Sequence, residues 1–180
     1  QGGPFSYPGD YFSAEAPEKY KIKGSFGHPV PVVDGKTQSS GAKASAIVLK
    51  KEFTDVKDLL CIDYTSAYST PSLDKLVRTF VYDRQGKGSF TVGDEFTANA
   101  PIRFETAITT QANWKIIDDT HLLLTTGTEQ MTVTIEASGK VAFTSETIEV
   151  NSPAYTRIGI SLKEQSKDGY IRLTMRTKQL

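Results

Sequence analysis

Apolar and polar residues alternate along most of the chain after residue 44. The segments 131–135, 157–162 and 171–176 carry apolar side chains at every second position, and the segment 102–109 does so except at Thr106. Because successive side chains of a β-strand point to opposite faces, such a segment has one apolar and one polar face. This is the pattern of a half-buried antiparallel sheet, and it predicts a nearly all-β chain.

Short polar segments that contain glycine separate the predicted strands. Residues 83–88 predict a hairpin loop, and residues 137–140 and 166–169 are further turns of this kind. Strands at this spacing, joined by short loops, predict a two-layer antiparallel β-sandwich that is similar to a supersandwich. The single cysteine, Cys61, lies in an alternating segment and is predicted to be a buried thiol that packs as a small hydrophobe.

The first 43 residues differ from the rest of the chain. Glycine, proline, serine and tyrosine dominate this segment, and proline cannot donate to a β-ladder. We therefore predict an irregular Pro/Gly-rich entry segment over residues 1–43, ordered only where it lies on a larger surface, and a sandwich over residues 44–180. The opening stretch Gln1–Ala16 has neither an initiator methionine nor an apolar signal segment. We therefore expect this single domain to be a fragment of a larger protein.

Charge and hydropathy narrow the classes of partner. The sequence has 21 Lys plus Arg and 21 Asp plus Glu, so its formal net charge is zero. A neutral chain lacks the long-range positive field on which non-specific nucleic-acid binding depends, so no nucleic-acid partner is expected. The sequence contains no apolar run of about 18 residues, the length that a membrane-spanning helix needs, so no membrane span is expected.

The two histidines limit the mechanisms that this sequence can support. Neither His28 nor His121 has a second histidine at zinc-ligand spacing, and the sequence has no Gly-x-Ser-x-Gly elbow and no phosphate-binding glycine motif. His121 follows an Asp-Asp-Thr turn and precedes a strand pattern, which indicates a structural role. His28 lies between Gly27, which allows close backbone approach, and Pro29, which favours an extended conformation. The loop therefore holds an imidazole in one direction, and the alternative is a histidine that only hydrogen-bonds to loop carbonyls.

The segment Gly24–Gly35, followed by Gln38, resembles the start of the C-terminal β-domain of heparinase II/III-like polysaccharide lyases. Its sequence is Gly-Ser-Phe-Gly-His-Pro-Val-Pro-Val-Val-Asp-Gly. The strand Leu76–Asp83, with Arg78 near its start and an aspartate at its end, fits the same family, as does the strand Phe104–Thr106. In these lyases an N-terminal (α/α) toroid packs against an antiparallel β-sandwich, and the cleft between them holds an acidic glycan.

The resemblance implies a chemistry and a set of residues. The family cleaves uronic-acid glycans by β-elimination: the uronate carboxylate is neutralised, a base removes the C5 proton, and an acid assists the departing oxygen. The β-domain supplies one histidine from a loop of this kind, and the matching position is His28. An imidazole suits either carboxylate neutralisation or proton transfer, and the sequence leaves this choice open. Lys19, Tyr20, Lys21 and Lys23 are the candidate contacts to carboxylate or sulfate groups of the substrate.

The resemblance also sets expectations about metals, partners and location. Some members bind a structural zinc through a second histidine two residues after the first; Val30 occupies that position here, so neither a metal site nor a cofactor is expected. The implied partners are an acidic polysaccharide and an N-terminal toroid domain of the same polypeptide. Because residues 1–180 cannot form an (α/α) barrel, the chain alone is expected to lack lyase activity. A periplasmic or secreted location is implied.

Two other functions are compatible with the sequence. A stand-alone carbohydrate-binding module would present exposed tryptophan or tyrosine side chains on a sheet face, but the single tryptophan, Trp114, is predicted to pack at the start of a strand. A purely structural surface domain would bury His28 against the core.

Overall fold

A computed structural model describes residues 9–13, 15–148 and 154–178. These ranges contain one short α-helix, α1 (Ala16–Lys19), and two 3₁₀-helical turns, Ser25–Gly27 and Thr65–Ala67. The strands are β1 (Val32–Val33), β2 (Ile47–Phe53), β3 (Lys57–Asp63), β4 (Leu73–Asp83), β5 (Ser89–Ile102), β6 (Phe104–Thr110), β7 (Asn113–Asp118), β8 (His121–Thr126), β9 (Glu129–Ala137), β10 (Val141–Ile148), β11 (Tyr155–Leu162) and β12 (Ser166–Lys178). None of the helices in the described ranges is long and apolar enough to cross a membrane.

The strands form two antiparallel sheets. A four-stranded sheet has the order β1-β6-β11-β10, and an eight-stranded sheet has the order β2-β3-β4-β5-β12-β9-β8-β7. The two sheets pack face to face. The all-β, two-layer sandwich that the alternation predicts is therefore confirmed.

The main core lies between the two sheets. Leu76 and Phe96 of the large sheet and Phe104 and Ile158 of the small sheet are among its fully buried side chains. The rings of Phe96 and Phe104 stack between the layers, with centroids 4.6 Å apart. Trp114 packs against this core at the start of β7, as predicted. Each such side chain contributes roughly 1.5–3 kcal/mol when it is fully buried, so the apolar strand faces hold the layers together.

The short loops have two different roles. β4 and β5 form the predicted hairpin around the loop at residues 84–88. The turns at residues 138–140 and 163–165 instead lead from one sheet to the other, from β9 to β10 and from β11 to β12. The sequence predicts the second turn at residues 166–169, and this position is wrong, because those residues already pair in β12. These crossing turns fold a continuous run of antiparallel strands into two layers.

The four-stranded sheet covers only part of the eight-stranded sheet. β2, at the edge of the large sheet, is exposed along its whole length. In the neighbouring strand Ile62 packs against the core, so Cys61 points to the opposite, uncovered face. The prediction of a buried thiol is therefore wrong, and Cys61 is half-buried.

Candidate functional site

The entry segment packs on the outer face of the four-stranded sheet. Ile158 and its alternate neighbours in β11 point into the main core, so Tyr155 points outward. Tyr155 forms a second, smaller buried cluster with Ile22 and Ile148. Three aromatic rings of the entry segment pack against this cluster: Tyr11, Tyr20 and Phe26. The described part of the entry segment is thus ordered on a larger surface, which positions the histidine loop.

The loop that carries His28 depends on the glycine before it. Ser25–Gly27 forms a 3₁₀ turn, and Gly27 is buried. A Cβ added to Gly27 would lie 2.2 Å from the carbonyl oxygen of Lys21, so no larger residue fits there. His28 is extended, with φ −113° and ψ 161°, as the following proline favours. The predicted close backbone approach and extended histidine are both confirmed.

Side chains of the sandwich bind the backbone on both sides of His28. Tyr155 Oη donates a hydrogen bond of 2.6 Å to the carbonyl oxygen of Gly27. Arg78 Nη1 donates one of 2.8 Å to the carbonyl oxygen of Pro29. The first donor comes from the outer face of the small sheet and the second from between the sheets, so the loop is attached to both layers of the fold.

Further contacts hold the rest of the loop. Tyr68 Oη donates to the carbonyl oxygen of Pro31 at 2.8 Å, and burial raises the pKa of Tyr68. The backbone N–H of Gln38 donates to Ser25 Oγ at 2.9 Å. The segment that carries the family resemblance is therefore closed by a hydrogen bond between its two ends, and its middle is fixed to the core.

Arg78 belongs to a buried network between the sheets. Its Nε and Nη2 atoms donate to the two carboxylate oxygens of Asp94 at 2.7 and 2.8 Å, and Asp94 is 1% exposed. Tyr64 Oη and Thr106 Oγ1 donate to the same carboxylate, each at 2.7 Å. Burial lowers the pKa of Arg78, but the charge of Asp94 outweighs this effect and the pKa is raised overall. The network keeps a charged guanidinium beside the backbone that carries His28.

The imidazole of His28 is half-buried, with one ring nitrogen bound inside the loop. Nε2 lies 3.1 Å from the carbonyl oxygen of Ile22. Because a carbonyl oxygen only accepts, Nε2 carries the proton in this contact, and the neutral ring has its lone pair on Nδ1. The ring is thus held by a loop carbonyl, as the plainer alternative predicts, but it is not buried against the core. Nδ1 is the nitrogen that can accept a proton.

Lys19 and Tyr20 share an acidic partner. Lys19 forms an ion pair with Asp10, and Tyr20 Oη donates to the same carboxylate at 2.6 Å. The hydrogen bond from Lys19 lowers the pKa of Asp10, and the bond to Asp10 raises the pKa of Lys19. Both charged side chains remain about half exposed. A glycan carboxylate would therefore compete with Asp10 for these two groups.

Lys21 and Lys23 have different surroundings. Lys21 forms an ion pair with Glu146 of β10. Lys23 Nζ donates to the carbonyl oxygen of Tyr11 at 2.6 Å, a neutral partner that does not cancel its charge. Lys23 is therefore the strongest of the four candidates for binding an anion.

Arg157 is a buried charged residue that the sequence did not single out. It is 2% exposed; its Nη1 donates to Glu105 Oε1 at 2.6 Å, and its guanidinium carbon lies 4.3 Å from the ring centroid of Phe26. Among the described residues its Nε and Nη2 have no hydrogen-bond partner. Arg157 occupies a polar-face position in an alternating segment, a pattern that predicts a solvated charge. The entry segment covers that face and buries it.

The described ranges bring no three His, Cys, Asp or Glu side chains together in a way that could hold a metal ion. The second histidine, His121, is the first residue of β8, directly after the turn from β7, and its Nδ1 is 2.9 Å from Asp118 Oδ1. The backbone N–H of Thr120 and the bond from His121 lower the pKa of Asp118 to about 2. His121 thus lies between a turn and a strand, as predicted.

Comparison with known proteins places this fold among heparinase structures. No family model and no curated protein matches the sequence. The heparan sulfate lyase HepC from Pedobacter heparinus matches with a TM-score of 0.74 and 14% identity, over 99% of this chain and 28% of that chain. The Heparinase III-BT4657 gene product matches with a TM-score of 0.69 and 14% identity, over 97% and 28%. A heparinase III crystal structure matches with a TM-score of 0.63 and 17% identity, over 82% and 23%.

At these identities the likeness establishes the fold. The expected likeness to heparinase-type structures is confirmed at the level of the fold over nearly the whole chain. The chain spans about 28% of the length of the first structures that it matches.

Proposed function

We propose that this chain is the β-domain of a polysaccharide lyase that cleaves uronic-acid-containing glycans by β-elimination, with His28 as its catalytic residue. The observation that carries the proposal is the setting of His28: a half-buried imidazole on a loop whose flanking carbonyls are bound by Tyr155 and Arg78. A group that transfers or neutralises a proton must be held in one geometry. The fold likeness to heparinase III and heparan sulfate lyase structures supports the same assignment.

In this proposal the reactive nitrogen of His28 is Nδ1. The carbonyl oxygen of Ile22 holds Nε2–H, and this contact persists whether the ring is neutral or charged. A neutral ring can accept the C5 proton at Nδ1, and a charged ring can donate from Nδ1 to the uronate carboxylate. The loop thus confines the change of protonation to one atom without moving the ring.

The charges near His28 favour an acidic glycan. Lys23 has a neutral carbonyl partner, and Lys19 and Tyr20 hold a carboxylate, Asp10, that a substrate carboxylate or sulfate could replace. Lys21 would bind a substrate anion in the same way, in place of its ion pair with Glu146. A glycosaminoglycan or another uronan supplies such anions at regular intervals, so binding should weaken as salt increases.

The proposal includes a second domain, which would form the side of the glycan-binding cleft opposite this chain. The chain spans 28% of the length of the heparinase structures that it matches, and the second domain is an N-terminal (α/α) toroid domain of the same polypeptide. Such a lyase would act in the periplasm or outside the cell, where acidic polysaccharides are found.

The test is an activity assay on an N-terminally extended polypeptide that contains this chain. Degradation of an acidic glycan should raise the ultraviolet absorbance, because elimination creates a new double bond. His28→Ala should lower the rate by about 10²–10⁴, the usual contribution of one acid–base group. His121→Ala is the matched control and should leave the rate unchanged, since His121 begins β8 and binds Asp118 at the end of β7. Activity that survives His28→Ala would remove His28 from the mechanism.

A further inference from the structure

The inner face of the large sheet packs against the small sheet over only part of its area. The uncovered part is an exposed apolar surface. Strand register places its members side by side on one face. We call it the aromatic face, and its apolar members are Phe53, Leu60, Phe80, Tyr82, Phe90 and Val92; Lys51, opposite Leu60, and Asp58, opposite Phe53 and Tyr82, lie on the same face. Three of its rings are strongly exposed: Phe53 by 67%, Tyr82 by 45% and Phe90 by 38%. An exposed apolar patch of this kind usually marks an interaction surface.

The aromatic face begins at the His28 loop. Arg78 lies on the same face of β4, two residues before Phe80, and its guanidinium carbon is 5.8 Å from the Phe80 ring. The same guanidinium donates to the carbonyl oxygen of Pro29. The rings of Phe80 and Phe90 stack with centroids 6.4 Å apart and continue the surface outward. The Arg78 side chain therefore connects the inner end of the aromatic face to the backbone next to His28.

We propose that the aromatic face is the docking surface for the companion helical domain of the proposed lyase, which would place the second wall of the cleft opposite His28. This inference rests on the proposed function. The chain spans only 28% of the heparinase structures that share its fold, so a polypeptide of that length would supply a body large enough to cover the face. Apolar side chains of amphipathic helices would replace the layer that the four-stranded sheet does not provide.

The composition of the surface favours a protein partner over a sugar. Phe53, Phe80 and Phe90 offer no hydrogen-bonding group to sugar hydroxyls. The charged side chains next to Tyr82 are Arg84 and Asp58, and they form an ion pair with each other. A glycan site needs polar groups that fix the orientation of the ligand, whereas a domain interface needs an apolar centre with a polar rim.

The test compares amide hydrogen exchange in the 180-residue chain with exchange in the N-terminally extended polypeptide. The expected result is slower exchange in β4 and β5 around Phe80 and Phe90 in the extended form, and no change in β7. Phe53→Thr combined with Phe90→Thr should abolish the slowing. The matched control is Ile117→Thr, which alters a side chain that is 49% exposed at the far edge of the same sheet, and it should leave the slowing intact.

Three results would overturn the inference. One is equal exchange around Phe80 and Phe90 in the two forms. Another is dimerisation of the 180-residue chain in sedimentation that Phe53→Thr/Phe90→Thr abolishes, which would make a second copy the occupant. The third is a shift of the Tyr82 and Phe90 resonances when a heparan sulfate oligosaccharide is added to the chain alone. If any of these occurs while the extended form still loses activity with His28→Ala, the proposed function stands and only the docking surface is wrong.

Discussion

Removal of the Asp94 carboxylate should be one of the most damaging single changes in the core. The carboxylate accepts two hydrogen bonds from Arg78 and one each from Tyr64 and Thr106. Asp94→Ala leaves the guanidinium of Arg78, which is 6% exposed, buried without a counter-charge. Breaking a buried pair in this way costs about 3–5 kcal/mol, and the two hydroxyl groups that lose their acceptor add to that cost. Against a typical total of about 5–15 kcal/mol, the variant should be close to unfolding.

The matched control replaces both members of the Arg78–Asp94 ion pair rather than Asp94 alone. Arg78→Met combined with Asp94→Leu leaves no buried charge, so it should be more stable than Asp94→Ala despite carrying one more substitution. The remaining loss comes from the Pro29 carbonyl and the hydroxyl groups of Tyr64 and Thr106, which lose their partners at about 1–3 kcal/mol for each buried group.

The assay is urea unfolding followed by the fluorescence of Trp114, which packs against the core. Urea is preferred to guanidinium because it does not screen charge. The midpoint and slope give the free energy of unfolding for each variant. A cost of less than about 1 kcal/mol for Asp94→Ala, or a double variant no more stable than the single one, would contradict the prediction.

Three further predictions concern the loop, the histidines and alkaline pH. Gly27→Ala should lower the urea midpoint because its Cβ would lie 2.2 Å from the Lys21 carbonyl oxygen, whereas Gly139→Ala meets no atom within 4 Å and should be neutral; equal effects would contradict the packing. In nitrogen-15 spectra neutral His28 should be the Nε2–H tautomer and neutral His121 the Nδ1–H tautomer, since their acceptors are the Ile22 carbonyl and Asp118; identical tautomers would refute this. Burial and the charge of Asp94 raise the pKa of Tyr64 above its ordinary value of 10.0, so the folded chain holds this proton longer than the unfolded chain. That stabilisation is complete below pH 10 and should fall above it by up to about 1.4 kcal/mol per pH unit. Tyr64→Phe should make the fall less steep, and an unchanged slope would contradict the assignment.

The local chemistry of the histidine loop could be predicted because short-range sterics determine it. Gly27 is required by one backbone contact and Pro29 restricts His28 directly, so neighbours in sequence carry the information. The sandwich could be predicted for a similar reason, since alternation with period two reports one buried face in each strand.

The sequence could not show which strands share a sheet or which charges are buried. The turn at residues 138–140 has the composition of a hairpin turn, yet it crosses between layers, because the layer that a strand joins depends on pairing partners far away in sequence. Arg157 has the spacing of a solvated residue and is buried only because the entry segment covers its face. Lys19 and Lys21 likewise find their acidic partners through tertiary packing.

The most direct test of the central claim follows the oxygen of water into the product. The N-terminally extended polypeptide is incubated with a uronic-acid glycan in oxygen-18 water, and the chain ends formed are weighed by mass spectrometry. Elimination breaks the glycosidic bond without adding water, so the account predicts unsaturated ends that carry no heavy oxygen and that disappear with His28→Ala. Saturated non-reducing ends, with the fragments together heavier by one water whose oxygen-18 lies at the new reducing end, would show hydrolysis and contradict the account.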